Sequence, residues 1–276
     1  MNRLKNPELL EFQRYFLLTK KFNKLFGIGA NKTGTTTLEY LARKIYGLKS
    51  NQRPGVASIH QIIEGNYRGF IDHMNHHEFH QDVPTSIKSF YVALDALFPS
   101  SKFILTTRDS DKWFESFFNF YYKRAIRPYI NSEYSKQNHP IFPGHDKRWF
   151  FYAYKHELSS LNSLKCTSPE NESHLKNEIL STPFREQCIL NYENRNNEIQ
   201  NYFTGRPKDL LVIDISEKNL YKKINTFLGI KEEAIFYEVP RKNSKSRTGN
   251  SSSTNNINAK PLISKDIYNY PSRPET

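Results

Sequence analysis

Short apolar runs alternate with longer amphipathic segments along most of the chain. The runs at 24–29, 102–107 and 209–215 are apolar at nearly every position, which is typical of strands buried on both faces. Weaker strand candidates lie at 54–60 and 68–72. Strands that alternate with helices predict a three-layer α/β fold, in which a central parallel sheet is flanked by helices and binds ligands at the carboxyl ends of its strands.

Helical periodicity or capping signals mark the segments between the strands. Apolar residues at helical spacing follow Pro84, a residue suited to a first turn. Asp109 or Ser110 is placed to cap the segment after the 102–107 strand. The first predicted helix starts at Pro7, and the second contains Leu38, Leu41 and Ile45. A third runs from Pro84 to Phe98, with Ile87, Tyr91, Leu94 and Phe98 on one face. Further helices are predicted at 109–125, in pieces of 145–164 and 170–180, and at 184–203 and 217–230.

Composition divides the chain into two parts. An α/β domain is expected over 1–243, with a polar, proline-broken region at 128–183, and a low-complexity tail over 244–276. From residue 241 onward there are seven Lys or Arg against two acidic residues. The net charge of +12 suits an anionic ligand and is too diffuse to indicate a nucleic-acid partner.

Cysteine usage and hydropathy indicate the compartment. Cys166 and Cys188 provide neither a disulfide framework nor metal-ligand spacing, so a reduced, cytoplasmic setting is expected. The first 24 residues carry charges every few positions, unlike a signal peptide, and there is no apolar run of ~20 residues. We therefore expect a soluble protein with no stable membrane insertion. Nothing in the sequence indicates an oligomeric state.

The stretch FGIGANKTGTTTL, which starts at Phe26, joins the first strand to the next helix. Gly29 and Gly34 have the spacing of a Walker A loop, but position 35 is Thr and the lysine is Lys32. Backbone amides and a helix start still favour an anion here. A glycine turn that binds nothing is the plain alternative. A metal-nucleotide site is another, since Asp214 ends an apolar strand as a Walker B residue does.

The motif N-K-T-G-T-T-T resembles the P-K-S-G-T-T-[WST] loop of sulfotransferases that use 3′-phosphoadenosine 5′-phosphosulfate (PAPS), including the bacterial-type sulfotransferase domain. The resemblance implies a P-loop-type fold and a loop that holds the 5′-phosphosulfate. It also implies that Lys32 reaches the oxygen bridging phosphorus and sulfur, without a metal. The loop residues implied to bind this group are Asn31, Lys32, Thr33, Gly34, Thr35, Thr36 and Thr37.

A second segment carries the same resemblance. In the family an Arg at the end of a strand and a Ser eight residues later hold the 3′-phosphate, and Arg108 and Ser116 match them in order and spacing. The resemblance covers about 22–243, weakly in 128–183. This sequence departs from the family at Asn31, where the family has Pro. It departs again at Arg241-Lys242, which matches only part of a further family loop that contacts the 3′-phosphate. Taken alone, Arg108 suits an ion pair and Ser116 an ordinary helix face.

The acceptor's proton needs a general base. The family places a His or carboxylate before the helix that precedes the arginine strand. Asp82 matches this position and His80 is the second candidate, although an Asp before a helix is also a common N-cap. On a helix His73, His76, His77 and His80 would share a face that could bind a metal, but a polar turn or cleft is preferred. The aromatic stripe of Trp113, Phe117, Phe120 and Tyr121 is typical of a core.

The sequence therefore predicts a transferase that moves a sulfuryl group from PAPS to a hydroxyl or amine of a small molecule or glycan. A Mg-ATP-dependent P-loop kinase or NTPase remains an alternative, since Asp214 lies where such enzymes hold a metal. A non-catalytic nucleotide-binding or anionic-glycan-binding protein is a further alternative.

Overall fold

The computed structural model describes residues 7–50, 61–62, 65–131, 150, 153–164 and 172–230. The strands are β1 (Leu25–Gly27), β2 (Phe79–His80), β3 (Lys102–Thr107) and β4 (Leu210–Asp214). The helices are α1 (Pro7–Thr19), α2 (Thr35–Tyr40, continued by a π-turn over Leu41–Ile45), α3 (Tyr67–Asn75), α4 (Phe90–Leu97), α5 (Ser110–Tyr121, continued by a π-turn over Tyr122–Ile126), α6 (Arg127–Ile130), α7 (Lys155–Ser159), α8 (Glu172–Ser181), α9 (Phe184–Tyr202) and α10 (Leu220–Leu228).

The four strands form one parallel sheet in the order β2-β1-β3-β4. The chain leaves β1 toward β2 and then crosses back to β3 on the other side of β1. In a parallel sheet this reversal opens a crevice at the carboxyl ends of the two central strands. The loops that follow β1 and β3 therefore meet there, and they carry Lys32 and Arg108.

Helices cover both faces of the sheet, which confirms the predicted three-layer α/β fold. On one face α1, α2 and α10 pack on Leu25, Ile104 and Ile213. On the other face α3, α4 and the end of α9 pack on Phe26 and Phe103. Successive strand residues point to opposite faces, so the continuous apolar runs in the sequence are what a sheet buried on both sides requires.

A third core lies beside the sheet and is built mainly from α5, α8 and α9. Trp113, Phe117 and Tyr121 of α5 are buried in it, as the aromatic stripe predicts. Phe120, the fourth member, is only partly buried: it packs against this core and also contacts Lys32 and Arg124. This core fixes the helix that follows Arg108.

Two predicted elements are corrected. The strand proposed at 68–72 is wrong, because these residues lie within α3: Asn66 accepts a hydrogen bond from the Gly69 N–H, and Phe70 and Met74 bury one helical face. The helix expected to start at Pro84 begins only at Phe90, and turns over the preceding residues shape the loop after β2. The short helix α6 was not predicted, whereas α1, α2, α5, α7, α8, α9 and α10 and the strands β1, β3 and β4 are found where predicted.

The clustered histidines belong to different elements. The four histidines do not share a helix, since His73 lies in α3 and His80 in β2, a two-residue strand not identified in the sequence. The strand candidate at 54–60, the tail 244–276, Arg241 and Lys242 lie outside the described residues, as does part of 128–183. No helix within the described ranges is both long and apolar enough to cross a membrane.

Candidate functional site

Both glycines of the loop after β1 are required by close packing. A Cβ on Gly29 would lie 2.0 Å from Thr106 Oγ1 and 2.5 Å from the Thr106 carbonyl oxygen, so only glycine lets the loop cross β3 here. Gly34 has φ = 96° and would place a Cβ 2.5 Å from Cγ1 of Ile215. The loop is thus pressed against the ends of β3 and β4.

Thr33 holds the loop together from inside. Its buried hydroxyl lies 2.6 Å from the Ala30 carbonyl oxygen and 2.6 Å from Thr106 Oγ1. Thr37 is also buried, whereas Thr35 is half-buried and Thr36 is exposed at the start of α2. Of the threonine side chains implied to bind the anion, those of Thr35 and Thr36 face solvent most openly.

Lys32 lies among positive charges. Its backbone adopts φ = 76°, uncommon for a non-glycine residue, and its Nζ lies 4.0 Å from the centroid of the Phe120 ring. Burial lowers the pKa of Lys32, and the charges of Arg124 and Arg108 lower it further, while Asp82 opposes them. Such a gathering of cations is most favourable when an anion binds among them.

Arg124 is a member of this cationic group that the sequence reasoning missed. It lies in the π-turn after α5, where its guanidinium carbon lies 4.1 Å from the Phe120 centroid and its Nη1 donates to the Phe120 carbonyl at 2.8 Å. A basic residue at the end of a predicted helix is common, so only its position beside Lys32 distinguishes it.

Arg108 directly follows β3 and is held through its backbone. Its N–H donates to Tyr192 Oη at 2.9 Å, and the same hydroxyl donates to the Arg108 carbonyl at 3.0 Å. One guanidinium nitrogen, Nη1, donates to the Lys32 carbonyl at 3.3 Å, so the structure brings Lys32 and Arg108 together as the motif match requires. Ser116 is half-buried on the second turn of α5, the helix that Asp109 caps as predicted.

Asn31 links the loop to the segment after β2. Its Nδ2 donates to Asp82 Oδ1 at 2.6 Å, and its Oδ1 accepts from Ser86 Oγ at 2.9 Å. Its carbonyl accepts from Trp113 Nε1 at 3.0 Å. Both side-chain polar atoms are therefore used within the protein, a role that the sequence did not indicate.

Asp82 lies at the carboxyl end of β2 and has φ = 68°. Its Oδ1 also accepts from the Val83 N–H at 2.9 Å, and its charge interacts with those of Lys32 and Glu39. Burial raises the pKa of Glu39, and Asp82 raises it further. The half-buried carboxylate of Asp82 therefore lies beside the cationic group rather than capping a helix, since the next helix begins at Phe90.

His80 is fully buried in β2. Its Nε2 lies 3.0 Å from the Met74 carbonyl oxygen and 3.2 Å from that of His77, so this nitrogen carries the proton and donates. Burial, assisted by the charge of Lys24, lowers the pKa of His80 to about 3. This geometry fits a neutral structural histidine and does not place the ring where an acceptor could reach it.

Asp214 and the histidines at 73–80 are the residues that the sequence offered as alternative metal ligands. Asp214, the Walker B-like residue, ends β4 and accepts from the Ser216 N–H at 2.7 Å through Oδ1. Among the described residues no group of three or more His, Cys, Asp or Glu side chains is arranged to hold a metal ion, and this includes the histidines at 73–80.

Comparison with known proteins identifies the family. The family model described as the sulfotransferase domain matches residues 24–248, which contain the loop, both central strands and every described site residue. No curated protein matches the chain. Because the match spans well over half of the 276 residues, the chain belongs to the sulfotransferase-domain family.

Proposed function

We propose that the protein transfers a sulfuryl group from PAPS to a hydroxyl or amine of a small-molecule or glycan acceptor. The observation that carries this proposal is the convergence of Lys32 and Arg108, with Arg124, beside a glycine loop at the carboxyl ends of β1 and β3. Lysine and arginine side chains donate charged hydrogen bonds, which suit a ligand with separate phosphate and phosphosulfate groups.

PAPS supplies an activated sulfuryl group whose bond to the bridging oxygen breaks during transfer. In the proposed binding mode, the loop amides with Gly34, Thr35 and Thr36 and the backbone of Asn31 hold the phosphosulfate, while the buried Thr33 and Thr37 support the loop from inside. Lys32 stabilises the negative charge that grows on the bridging oxygen, an effect greater in the transition state than in the ground state. Arg108 and Ser116 hold the 3′-phosphate. Arg241 and Lys242 stay a prediction for a further contact.

The acceptor is activated at Asp82. As its oxygen or nitrogen forms a bond to sulfur, the proton leaves for the Asp82 carboxylate, and the bond from sulfur to the bridging oxygen breaks. The bridging oxygen stays on 3′-phosphoadenosine 5′-phosphate (PAP). We favour Asp82 over His80 as the base because the ring of His80 is fully buried and neutral. Residues 128–183 are proposed to face the acceptor.

A transfer assay tests the proposal. The protein is incubated with ³⁵S-labelled PAPS and a panel of hydroxylated metabolites, aryl alcohols, amines and oligosaccharides, and labelled products are separated chromatographically. We expect label on at least one acceptor class and none with Lys32→Ala. PAP production without labelled product, or label unaffected by Lys32→Ala, would contradict the mechanism.

Thermal unfolding separates this function from a kinase or NTPase. PAP is expected to raise the melting temperature without Mg²⁺, and Arg108→Ala is expected to reduce the increase because the 3′-phosphate loses its partner. If Mg-ATP stabilises the protein and PAP does not, the Walker-type alternative is correct and Asp214 becomes the candidate metal ligand. Stabilisation by PAP together with no transfer to any acceptor would instead favour a non-catalytic binding protein.

A further inference from the structure

Two loops of the site are joined by a short chain of side-chain hydrogen bonds, which the motif match does not include. It runs from Ser86 through Asn31 to Asp82, with distances of 2.9 Å and 2.6 Å between the bonded atoms. Asn31 stands where the family motif has proline, and proline could form neither bond. The bonds also fix the amide orientation, because the NH₂ group must face the carboxylate and the oxygen must face the hydroxyl.

Both loops that these bonds join are anchored to the fold. On the Asn31 side, the indole of Trp113 donates to the backbone carbonyl at 3.0 Å. On the Asp82 side, the backbone carbonyl accepts from Thr85 Oγ1 at 2.7 Å and from the Ser86 N–H at 2.8 Å. Asn31 thus connects a loop fixed by α5 to a turn fixed by its own hydrogen bonds.

Backbone conformation supports the same conclusion. Asp82 has φ = 68°, and Lys32, which follows Asn31, has φ = 76°. Non-glycine residues in this region carry strain that the surroundings must hold in place, and such residues cluster at functional sites. The Asn31–Asp82 bond ties Asp82, which bears the carboxylate, to the residue that directly precedes Lys32, which bears the cation.

We propose that Asn31 is a positioning residue for proton transfer, whose amide, oriented by Ser86, sets the direction of the Asp82 carboxylate. This inference rests on the proposed function, since it assigns Asp82 the acceptor's proton. Asn31 and the Val83 N–H both donate to Oδ1, and these two bonds hold the carboxylate in one direction. The side chain of Asn31 is then not a phosphosulfate ligand, which revises its sequence-based role.

Within the described part of the chain, charged and titratable groups on at least three elements interact with Asp82. Lys32 lies on the same loop as Asn31, Glu39 on α2 and Tyr121 on α5, and each interacts electrostatically with Asp82. Lys32 favours the ionised carboxylate and Glu39 disfavours it. The Asn31 amide donates to the ionised form, so its removal is expected to make protonation easier without changing either charge.

The test follows the titration of Asp82 itself, so that no acceptor is needed. Protein labelled with ¹³C at the aspartate carboxyl is titrated by NMR, and the Asp82 resonance is assigned by its absence in Asp82→Asn. In Asn31→Leu we expect the Asp82 midpoint to rise by about one pH unit. Ser86→Ala should shift it in the same direction by less, because the amide stays but loses its orientation.

Asn23→Leu is the matched control. The amide of Asn23 donates to the Pro99 carbonyl at an exposed site away from the loop, so the same chemical change there should leave the Asp82 midpoint unchanged. An Asp82 midpoint that is the same in Asn31→Leu and wild type, with circular dichroism showing both folded, overturns the positioning role.

Binding of PAP, measured by calorimetry on the same samples, keeps the two proposals apart. Wild-type protein that does not bind PAP refutes the proposed function, whatever the midpoints show. The positioning role of Asn31 is supported if wild type and Asn31→Leu bind PAP with affinities within about twofold of each other and the Asp82 midpoint is shifted in Asn31→Leu. A loss of PAP affinity of tenfold or more in Asn31→Leu without a shifted midpoint would instead make the Asn31 side chain a nucleotide ligand.

Discussion

The hydroxyl group of Tyr192 bridges the two backbone polar groups of Arg108, accepting from its N–H at 2.9 Å and donating to its carbonyl at 3.0 Å. The ring of Tyr192 stacks on Trp113 with centroids 4.2 Å apart and planes 8° from parallel. Helix α9 therefore fixes the residue that directly follows β3, and with it the direction in which the Arg108 side chain leaves the sheet.

Tyr192→Phe is expected to weaken PAP binding by about five- to tenfold while keeping the fold, because it removes a bridge worth ~1 kcal/mol and leaves the Trp113 stack. Calorimetric titration with PAP measures the change. Tyr202→Phe is the matched control, since that hydroxyl donates to Asp95 Oδ2 at 2.7 Å on the surface. Equal PAP affinity in Tyr192→Phe and wild type would show that Arg108 does not depend on the bridge.

Lys32→Ala is expected to lower the transfer rate by at least ~10²-fold, as removal of a charge-stabilising donor does in other enzymes. The same change should not destabilise the free protein, because Lys32 is partly buried beside Arg124 and Arg108, which disfavour its charge. Urea unfolding of the ligand-free variant measures this second effect. A marked loss of stability would mean that Lys32 supports the loop rather than awaiting an anion.

Gly29→Ala is expected to destabilise the protein by about 1–3 kcal/mol or to prevent folding, because the new Cβ would overlap backbone and side-chain atoms of Thr106. Gly205→Ala is the control, since nothing lies within 4 Å of a Cβ built there. Urea denaturation compares the two. Similar stabilities would show that the loop can move away from β3, and the close approach would then not define the site.

Buried His80 predicts acid sensitivity. Its folded-state pKa of about 3 lies below the ordinary 6.5, so the unfolded chain binds a proton that the folded chain does not between these values. The contribution of His80 to the free energy of unfolding is therefore fully present above about pH 6.5. It falls by about 1.4 kcal/mol per pH unit as the pH drops toward 3.

The measurement for His80 is urea unfolding at pH 7 and pH 5. Wild type should lose about 2 kcal/mol from this histidine, and His80→Gln, which can still donate to the carbonyls, should lose correspondingly less. His156→Gln, at an exposed histidine, serves as the control. Identical losses in His80→Gln and wild type would refute the neutral buried state.

The sequence was sufficient for the parts of the fold with strong local signals. β1, β3 and β4 are continuous apolar runs, and the loop between β1 and α2 has fixed glycine spacing, so these elements were predicted. β2 was not, since two residues carry no periodic signal. The 68–72 segment was misassigned because its Phe70–Met74 repeat extends beyond the window in which it resembled a strand.

The candidate site also contains residues that the sequence could indicate and residues that it could not. Lys32, Arg108 and Ser116 could be proposed from the sequence because a motif fixes their spacing along the chain. Tyr192 and Arg124 were missed, since their relation to Arg108 and Lys32 exists only after α9 packs on α5 and the π-turn closes over Phe120. The substitution at Asn31 was noticed in the sequence, but its partner lies 51 residues away, at Asp82.

The most direct measurement of the central claim is a calorimetric titration of the protein with PAP and with adenosine 5′-phosphate, both without Mg²⁺. We predict that PAP binds at least tenfold more tightly than the nucleotide without a 3′-phosphate, and that Arg108→Ala abolishes this difference while leaving adenosine 5′-phosphate binding unchanged. Equal affinity of the wild type for both nucleotides, or tight binding of Mg-ATP alone, would contradict it.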